Sequence, residues 1–141
     1  MRDPERLTEV VREWVEKAEN DLVAAVHTLT LRERCPSDMV CFHAQQCVEK
    51  YLKAYLVFAS IDFPKTHDVE RLVALLPGGV EVSLSAEQQG RLTEHATVLR
   101  YPGNYPPIVH AEARKTVALA RRVRKEVRAH LPKAALRRRR K

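Results

Sequence analysis

The sequence predicts an all-α protein, an up-and-down bundle of four to five helices. Apolar side chains recur every three or four residues over long stretches, which is typical of helices with one buried face. Only four of the 141 residues are glycine, and no segment shows the alternation expected of a strand. At this length the chain can form one domain around a single core.

The first helix is predicted from the N-terminus to about Thr30. Asp3 followed by Pro4 is a favourable pair of residues for a helix start, because Asp caps the free N–H groups and Pro fits the first turn. A single apolar stripe follows, formed by Leu7, Val11, Trp14, Ala18, Leu22, Ala25 and Leu29. This stripe predicts one long helix with one buried face.

The second helix is predicted to be the central one. It follows the segment RERCPSD, and we expect Ser37 or Asp38 to cap it. It carries two apolar stripes, whereas a helix with one buried face carries one. The first stripe is Val40, Ala44, Cys47, Tyr51, Ala54 and Phe58, and the second is Val48, Leu52, Tyr55 and Ala59.

A short third helix is predicted over about residues 69–76, ended by Pro77 and the two glycines after it. We expect Thr66 to cap this helix. Ser85 with Gln88 three residues later is a capping-box signature for the fourth helix.

The fourth helix must end near Arg100, because Pro102 disfavours helical structure at the residue before it. The segment RYPGNYPP is a corner rich in proline and tyrosine. The fifth helix is predicted to begin after Pro107 and to end by Pro132.

The formal net charge of +7 is concentrated at the C-terminus. Six of the 25 basic residues lie in residues 133–141. The remaining 19 basic residues are nearly balanced in number by the 18 acidic residues of the chain. We therefore assign residues 1–132 to the bundle and residues 133–141 to a basic, disordered tail. Such a tail can bind phosphates in a salt-sensitive manner, or it can simply keep the protein soluble.

Composition also indicates where the protein acts. The chain has no apolar run near the ~20 residues needed to span a bilayer, and its N-terminal residues lack the apolar core of a signal peptide. The three cysteines lie six residues apart, which is not a metal-ligand spacing. We expect a cytoplasmic protein with reduced thiols, no metal site, no cofactor and no membrane partner.

The second helix carries polar groups whose surroundings decide the functional interpretation. His43, Gln46 and Lys50 share one strip, and Gln45, Glu49 and Lys53 share its neighbour. These groups either face solvent or bond to the region of Asp21 and the chain turns, or they line a groove between subunits. In a groove, imidazole, ammonium and guanidinium groups suit a phosphate. The candidate ligand-binding residues are His43, Gln46, Lys50, Lys53, Arg100 and Tyr101.

Four blocks of the sequence carry a family resemblance. They are W-x3-A-x2-DL from Trp14, FHAQQCVEKYLKAYL from Phe42, PKTHDVERL from Pro64 and LRYPGNY from Leu99. In this order they resemble the HEPN domains (higher eukaryotes and prokaryotes nucleotide-binding), over about residues 10–128. The resemblance implies a helical bundle that usually pairs into a homodimer and often associates with a minimal nucleotidyltransferase. It further implies nucleotide or RNA binding, or RNA cleavage by toxins.

The chain departs from the pattern of the ribonuclease members. Those members resemble one another in an Arg-x(4-6)-His motif, whereas nine residues separate Arg100 from His110 and three separate Arg91 from His95. We therefore assign no catalytic residues and expect a non-catalytic module that binds nucleotide, RNA or a partner. A metal-independent endoribonuclease of a toxin–antitoxin pair, using Arg100 and His110, and a structural subunit without ligand are the alternatives. No Gly-rich phosphate loop is present, which argues against a stand-alone nucleotidyltransferase or kinase.

Overall fold

A computed structural model describes residues 3–138, and this part of the chain is helical with no strand. The predicted all-α bundle is thereby confirmed. No helix in this range is both long enough and apolar enough to cross a bilayer. The helices are α1 (Pro4–Leu29), α2 (Ser37–Phe58), α3 (Val69–Ala74), α4 (Ala86–Ala96), α5 (His110–Arg128) and α6 (Lys133–Leu136).

Two of the predicted helix starts are confirmed by the cap geometry. The side chain of Asp3 accepts a hydrogen bond from the backbone N–H of Glu5 at 3.1 Å. Ser85 and Gln88 form the full capping box, with reciprocal bonds of 3.1 and 2.9 Å. These contacts fix where α1 and α4 begin, because each satisfies N–H groups that the helix itself leaves unpaired.

Two predicted caps are wrong. No side chain caps α2, because the residue at its cap position is Pro36. Asp68 caps α3 by accepting from the backbone N–H of Arg71 at 3.2 Å, whereas Thr66 accepts from the N–H of Asp68 in the preceding turn. In both places the chain enters the helix one or two residues away from the expected position.

Helix α2 lies at the centre of the bundle, as predicted from its two stripes. It packs against α1, α3, α4 and α5. Its largest fully buried side chains are those of Tyr51, Leu52 and Leu56. Because α2 is surrounded, its polar side chains must find partners inside the chain or at its margins.

The expectation of disorder does not hold for residues 133–136, which form α6. This short helix packs against α1, and Ala135 is fully buried. The guanidinium of Arg12 on α1 donates a 2.7 Å hydrogen bond to the carbonyl of Ala134. The short apolar segment Ala134–Leu136 therefore anchors the start of the basic tail, while residues 139–141 lie outside the described part of the chain.

Candidate functional site

Two residues of the first polar strip of α2, His43 and Lys50, are paired with Asp21 of α1. Nδ1 of His43 lies 3.0 Å from one carboxylate oxygen of Asp21, and Nζ of Lys50 lies 2.5 Å from the other. Both side chains are about a quarter exposed, and Asp21 is 13% exposed. The alternative in which these groups bond to Asp21 is the one the structure shows, so the charge of Lys50 is already balanced within the chain.

The second strip converges on Glu49, which is only 3% exposed. Its carboxylate accepts from Gln45 at 3.0 Å, from Lys53 at 3.0 Å and from Nδ1 of His67 at 2.7 Å. The side-chain amide of Gln46 donates to Oε1 of Gln45 at 2.7 Å. Burial raises the pKa of Glu49, but the bonds from Gln45, His67 and Lys53 outweigh it, so the pKa lies below its usual value.

Lys53 is held on two sides by aromatic rings. Its ammonium lies 5.8 Å from the ring centres of Trp14 and Phe63, and the residue is 7% exposed. Gln46 is similarly buried. The ligand-binding role predicted for these two residues stays a prediction, but a ligand would have to displace existing contacts to reach them.

Arg100 and Tyr101 remain open to solvent at the corner that follows α4. The guanidinium of Arg100 stacks 4.3 Å from the ring centre of Phe42, and Tyr101 is 61% exposed. His110, considered with Arg100 for catalysis, instead contacts Arg114 through Nδ1 at 2.9 Å. Within residues 3–138 no hydrogen bond or ion pair joins Arg100 to His110.

A cluster that the sequence analysis did not predict joins α4 to α5. Arg91 binds Glu112 through two bonds of 2.6 and 2.8 Å, and Nε2 of His95 lies 2.9 Å from the same carboxylate. The bonds from Arg91 hold the pKa of Glu112 below its usual value. Arg91 and His95 are four residues apart and therefore share a helix face, but nothing in the sequence indicated that Glu112 faces them.

His95 is the least exposed member of this cluster, at 2%. Burial lowers the pKa of His95, and the neighbouring Glu112 carboxylate offsets this only in part. A neutral imidazole that donates from Nε2 to Glu112 leaves Nδ1 as an acceptor. That nitrogen is buried and has no hydrogen-bond partner among the described residues.

An open groove of about 500 Å³ lies between α4 and α5, and Arg91, His95 and Glu112 line one end of it. Ser85 at the start of α4 and Arg122 on α5 form the other end. Lys115 and Arg122 are seven residues apart, which places both on the α4 side of α5. In the described chain Lys115 has no carboxylate partner, and Arg122 donates to the carbonyl of Ser83. Glu87 also lines the groove.

All of the exposed charged residues of α5 are cations. Its two acidic residues are only partly exposed and are already bound, Glu112 to Arg91 and Glu126 to Ser83. The bundle as a whole has nearly balanced charge, but the exposed surface of α5 is positively charged. The exposed cations are Arg114, Lys115, Arg121, Arg122 and Lys125.

Comparisons with known proteins agree with this architecture. The HEPN domain profile matches residues 11–130. A crystal structure of TT1696 from Thermus thermophilus superimposes with a TM-score of 0.73 at 28% identity, covering 86% of this chain and 98% of that one. ST0689, described as an archaeal HEPN homologue, gives a TM-score of 0.65 at 26% identity, covering 85% and 96%. A comparison with curated proteins gives no match. With most of its length matched by the profile, the chain belongs to the HEPN domain family.

Proposed function

We propose that this HEPN protein is a non-catalytic module that binds the phosphate groups of a nucleotide or of RNA in the groove between α4 and α5. The observation that carries the proposal is the pair Lys115 and Arg122. Both line one groove, and neither is balanced by a carboxylate within residues 3–138. The cations of the second helix, by contrast, are bound to Asp21 and Glu49.

The chemistry of the groove suits an anion with more than one phosphate. Lys115 offers a point charge and Arg122 a planar fork of donors. Seven residues of helix separate their backbones by roughly 10 Å, so the positive charge is spread along the groove. The N-terminus of α4, which begins after Ser85, adds N–H groups and the positive end of its dipole at the Arg122 end. The guanidinium of Arg91 already binds the carboxylate of Glu112, so we do not count it as a phosphate ligand.

We propose the absence of catalysis because no accessible histidine lines this groove in the described part of the chain. A general base must come within hydrogen-bond reach of the proton it removes. Nε2 of His95 is bound to Glu112, and its Nδ1 is buried. Arg100 and His110, the pair of the ribonuclease alternative, contact different neighbours.

The test compares two double variants with equal loss of charge, K115Q/R122Q in the groove and R121Q/K125Q on the other edge of α5. Residues 137–141 are removed from all proteins, so that the tail does not contribute while α6 is kept. Binding of labelled ATP and of a labelled single-stranded RNA is measured by fluorescence anisotropy. We expect K115Q/R122Q to weaken binding at least tenfold, which is about 1.4 kcal/mol, and R121Q/K125Q to change it less than threefold.

The two probes separate the sources of phosphate. Binding of ATP identifies a nucleotide site, whereas binding of RNA alone indicates a site for a strand. Two results would contradict the proposal: equal losses of binding in both double variants, or loss of all binding when residues 137–141 are removed. Either would show that the protein binds phosphates only by non-specific electrostatic attraction.

We also propose that the protein forms a homodimer, as the family resemblance implies. Large apolar side chains are exposed around the corner between α4 and α5, namely Val98 at 61%, Tyr101 at 61% and Val109 at 60%. Exposed apolar side chains that lie close together in the sequence, at one corner of a small protein, favour an interaction surface there. Light scattering should give twice the monomer mass, and V98D should lower it; a monomer at tens of micromolar would contradict the proposal.

Association with a minimal nucleotidyltransferase is a further proposal that rests on the family. Co-purification of such an enzyme, without binding of free ATP, would favour this partner role over the nucleotide site.

A further inference from the structure

We propose that a second groove, between α1 and α5, docks an acidic amphipathic helix of a partner protein. The groove lies on the opposite edge of α5 from the proposed phosphate site. It therefore gives α5 two separate binding edges, and the second does not depend on the first.

The floor of this groove is aliphatic. Leu22, Val23 and Val26 of α1 line it, and Val23 is 68% exposed. The open volume is about 700 Å³. Leu22 is already buried in the core, so the accessible apolar strip along α1 consists of Val23 and Val26, three positions apart. A helix laid along α1 could bury this strip and its own apolar face together.

The rim of the groove on the α5 side is cationic. Arg121 and Lys125 are exposed, lie four residues apart, and have no carboxylate partner within residues 3–138. Arg124 also lines the groove, but Glu19 binds its guanidinium through two bonds of 2.8 Å. Burial raises the pKa of Glu19, and the bonds from Arg124 and Tyr51 outweigh it, so Glu19 stays ionised and balances Arg124. Two unbalanced positive charges therefore remain.

These properties select the class of partner. A nucleic-acid strand gains affinity by stacking its bases on aromatic rings. Among the described residues that line this groove, only His27 has a ring, and the apolar side chains are aliphatic. A helix with apolar residues at positions i, i+3, i+4 and i+7 can cover the strip of Val23 and Val26. Glu or Asp residues on its flank would then meet Arg121 and Lys125. An acidic amphipathic helix satisfies both the floor and the rim.

Two synthetic peptides of about 18 residues, the length of a typical amphipathic helix, test this inference. The first carries Leu at i, i+3, i+4 and i+7 with Glu on its flanks, and the second has the same composition in scrambled order. We expect the protein to bind the first peptide saturably and at least tenfold more tightly than the second. Fluorescence anisotropy measures both, and circular dichroism reports whether the bound peptide is helical.

The variants assign the binding to the groove. V23D places a charge on the exposed floor, and V23S removes the apolar contact without adding charge; Val23 is not part of the core, so the fold should tolerate both. We expect V23D and R121Q/K125Q each to weaken peptide binding at least tenfold, V23S to weaken it less, and K115Q/R122Q to leave it unchanged.

Three results would overturn the inference. In the first, the ordered and scrambled peptides bind equally tightly. In the second, V23D and V23S leave the affinity for the peptide unchanged. In the third, V23D weakens the binding of RNA but not that of the peptide. The last result would show that this edge of α5 contacts nucleic acid.

Discussion

Nζ of Lys53 lies 3.0 Å from a carboxylate oxygen of Glu49, and more than nine-tenths of each residue is buried. This ion pair lies within α2, the helix surrounded by the rest of the bundle. Two further contacts extend it, because Gln45 and His67 also donate to Glu49. Glu49 thus joins the centre of α2 to the connector between α2 and α3.

Replacing Glu49 with glutamine should strongly destabilise the protein. The substitution leaves the buried ammonium of Lys53 without a counter-charge, and breaking a buried pair from one side costs about 3–5 kcal/mol. Urea denaturation monitored by circular dichroism measures the free energy of unfolding. The double variant E49Q/K53M should cost less than the sum of the two single variants. Additive costs would show that the two charges do not depend on each other.

Acidification should weaken the fold through His95. Burial holds the pKa of His95 below its ordinary value of about 6.5, so the unfolded chain takes up the proton before the folded protein does. This contribution to stability is complete above that value and declines as the pH falls below it. Thermal unfolding of the wild type and of H95Q between about pH 7.5 and 5.5 measures the effect. We expect a shallower decline in H95Q, and parallel declines would contradict the assignment.

Removal of α6 should cost stability, whereas removal of the arginine run should not. Ala135 is fully buried against the core, and Arg12 binds the carbonyl of Ala134. Truncation after Pro132 should lower the free energy of unfolding by about 1–3 kcal/mol, since it exposes apolar surface and unpairs a donor. Truncation after Leu136 is the matched control. Equal stability of the two truncated proteins would mean that α6 adds nothing to the fold.

RNA should stay intact in the presence of this protein. We expect no cleavage of single-stranded RNA in EDTA, because Arg100 stacks on Phe42 and His110 contacts Arg114 rather than Arg100. Gel analysis of a labelled RNA after prolonged incubation measures this. Metal-independent cleavage that disappears in both R100A and H110A would establish the endoribonuclease alternative instead.

The sequence was most informative where the signal is local or periodic. Asp3 at the first helix and the pair Ser85 and Gln88 predicted their caps correctly, because capping depends on a few neighbouring residues. The two stripes of α2 predicted its central place, because burial on several sides requires apolar residues on several sides.

The candidate site depends on contacts between distant parts of the chain, and these were not predictable from periodicity. Arg91 and Glu112 are 21 residues apart, and nothing in the sequence indicated that they face each other. The partner of Lys50 is 29 residues away on α1. The net charge placed the excess of basic residues in the tail. It could not show that Glu112 binds Arg91, whereas Lys115 and Arg122 in the same groove have no carboxylate partner in the described chain.

A titration of the isotopically labelled protein with ATP and with single-stranded RNA, followed by the NMR shifts of its backbone amides, tests the proposed phosphate site most directly. The proposal predicts that the largest changes occur along the α4–α5 groove, at Ser85, Lys115 and Arg122, and that they vanish in K115Q/R122Q. Changes confined to residues 137–141, or centred on Val23 and Arg121 at the other edge of α5, would contradict it.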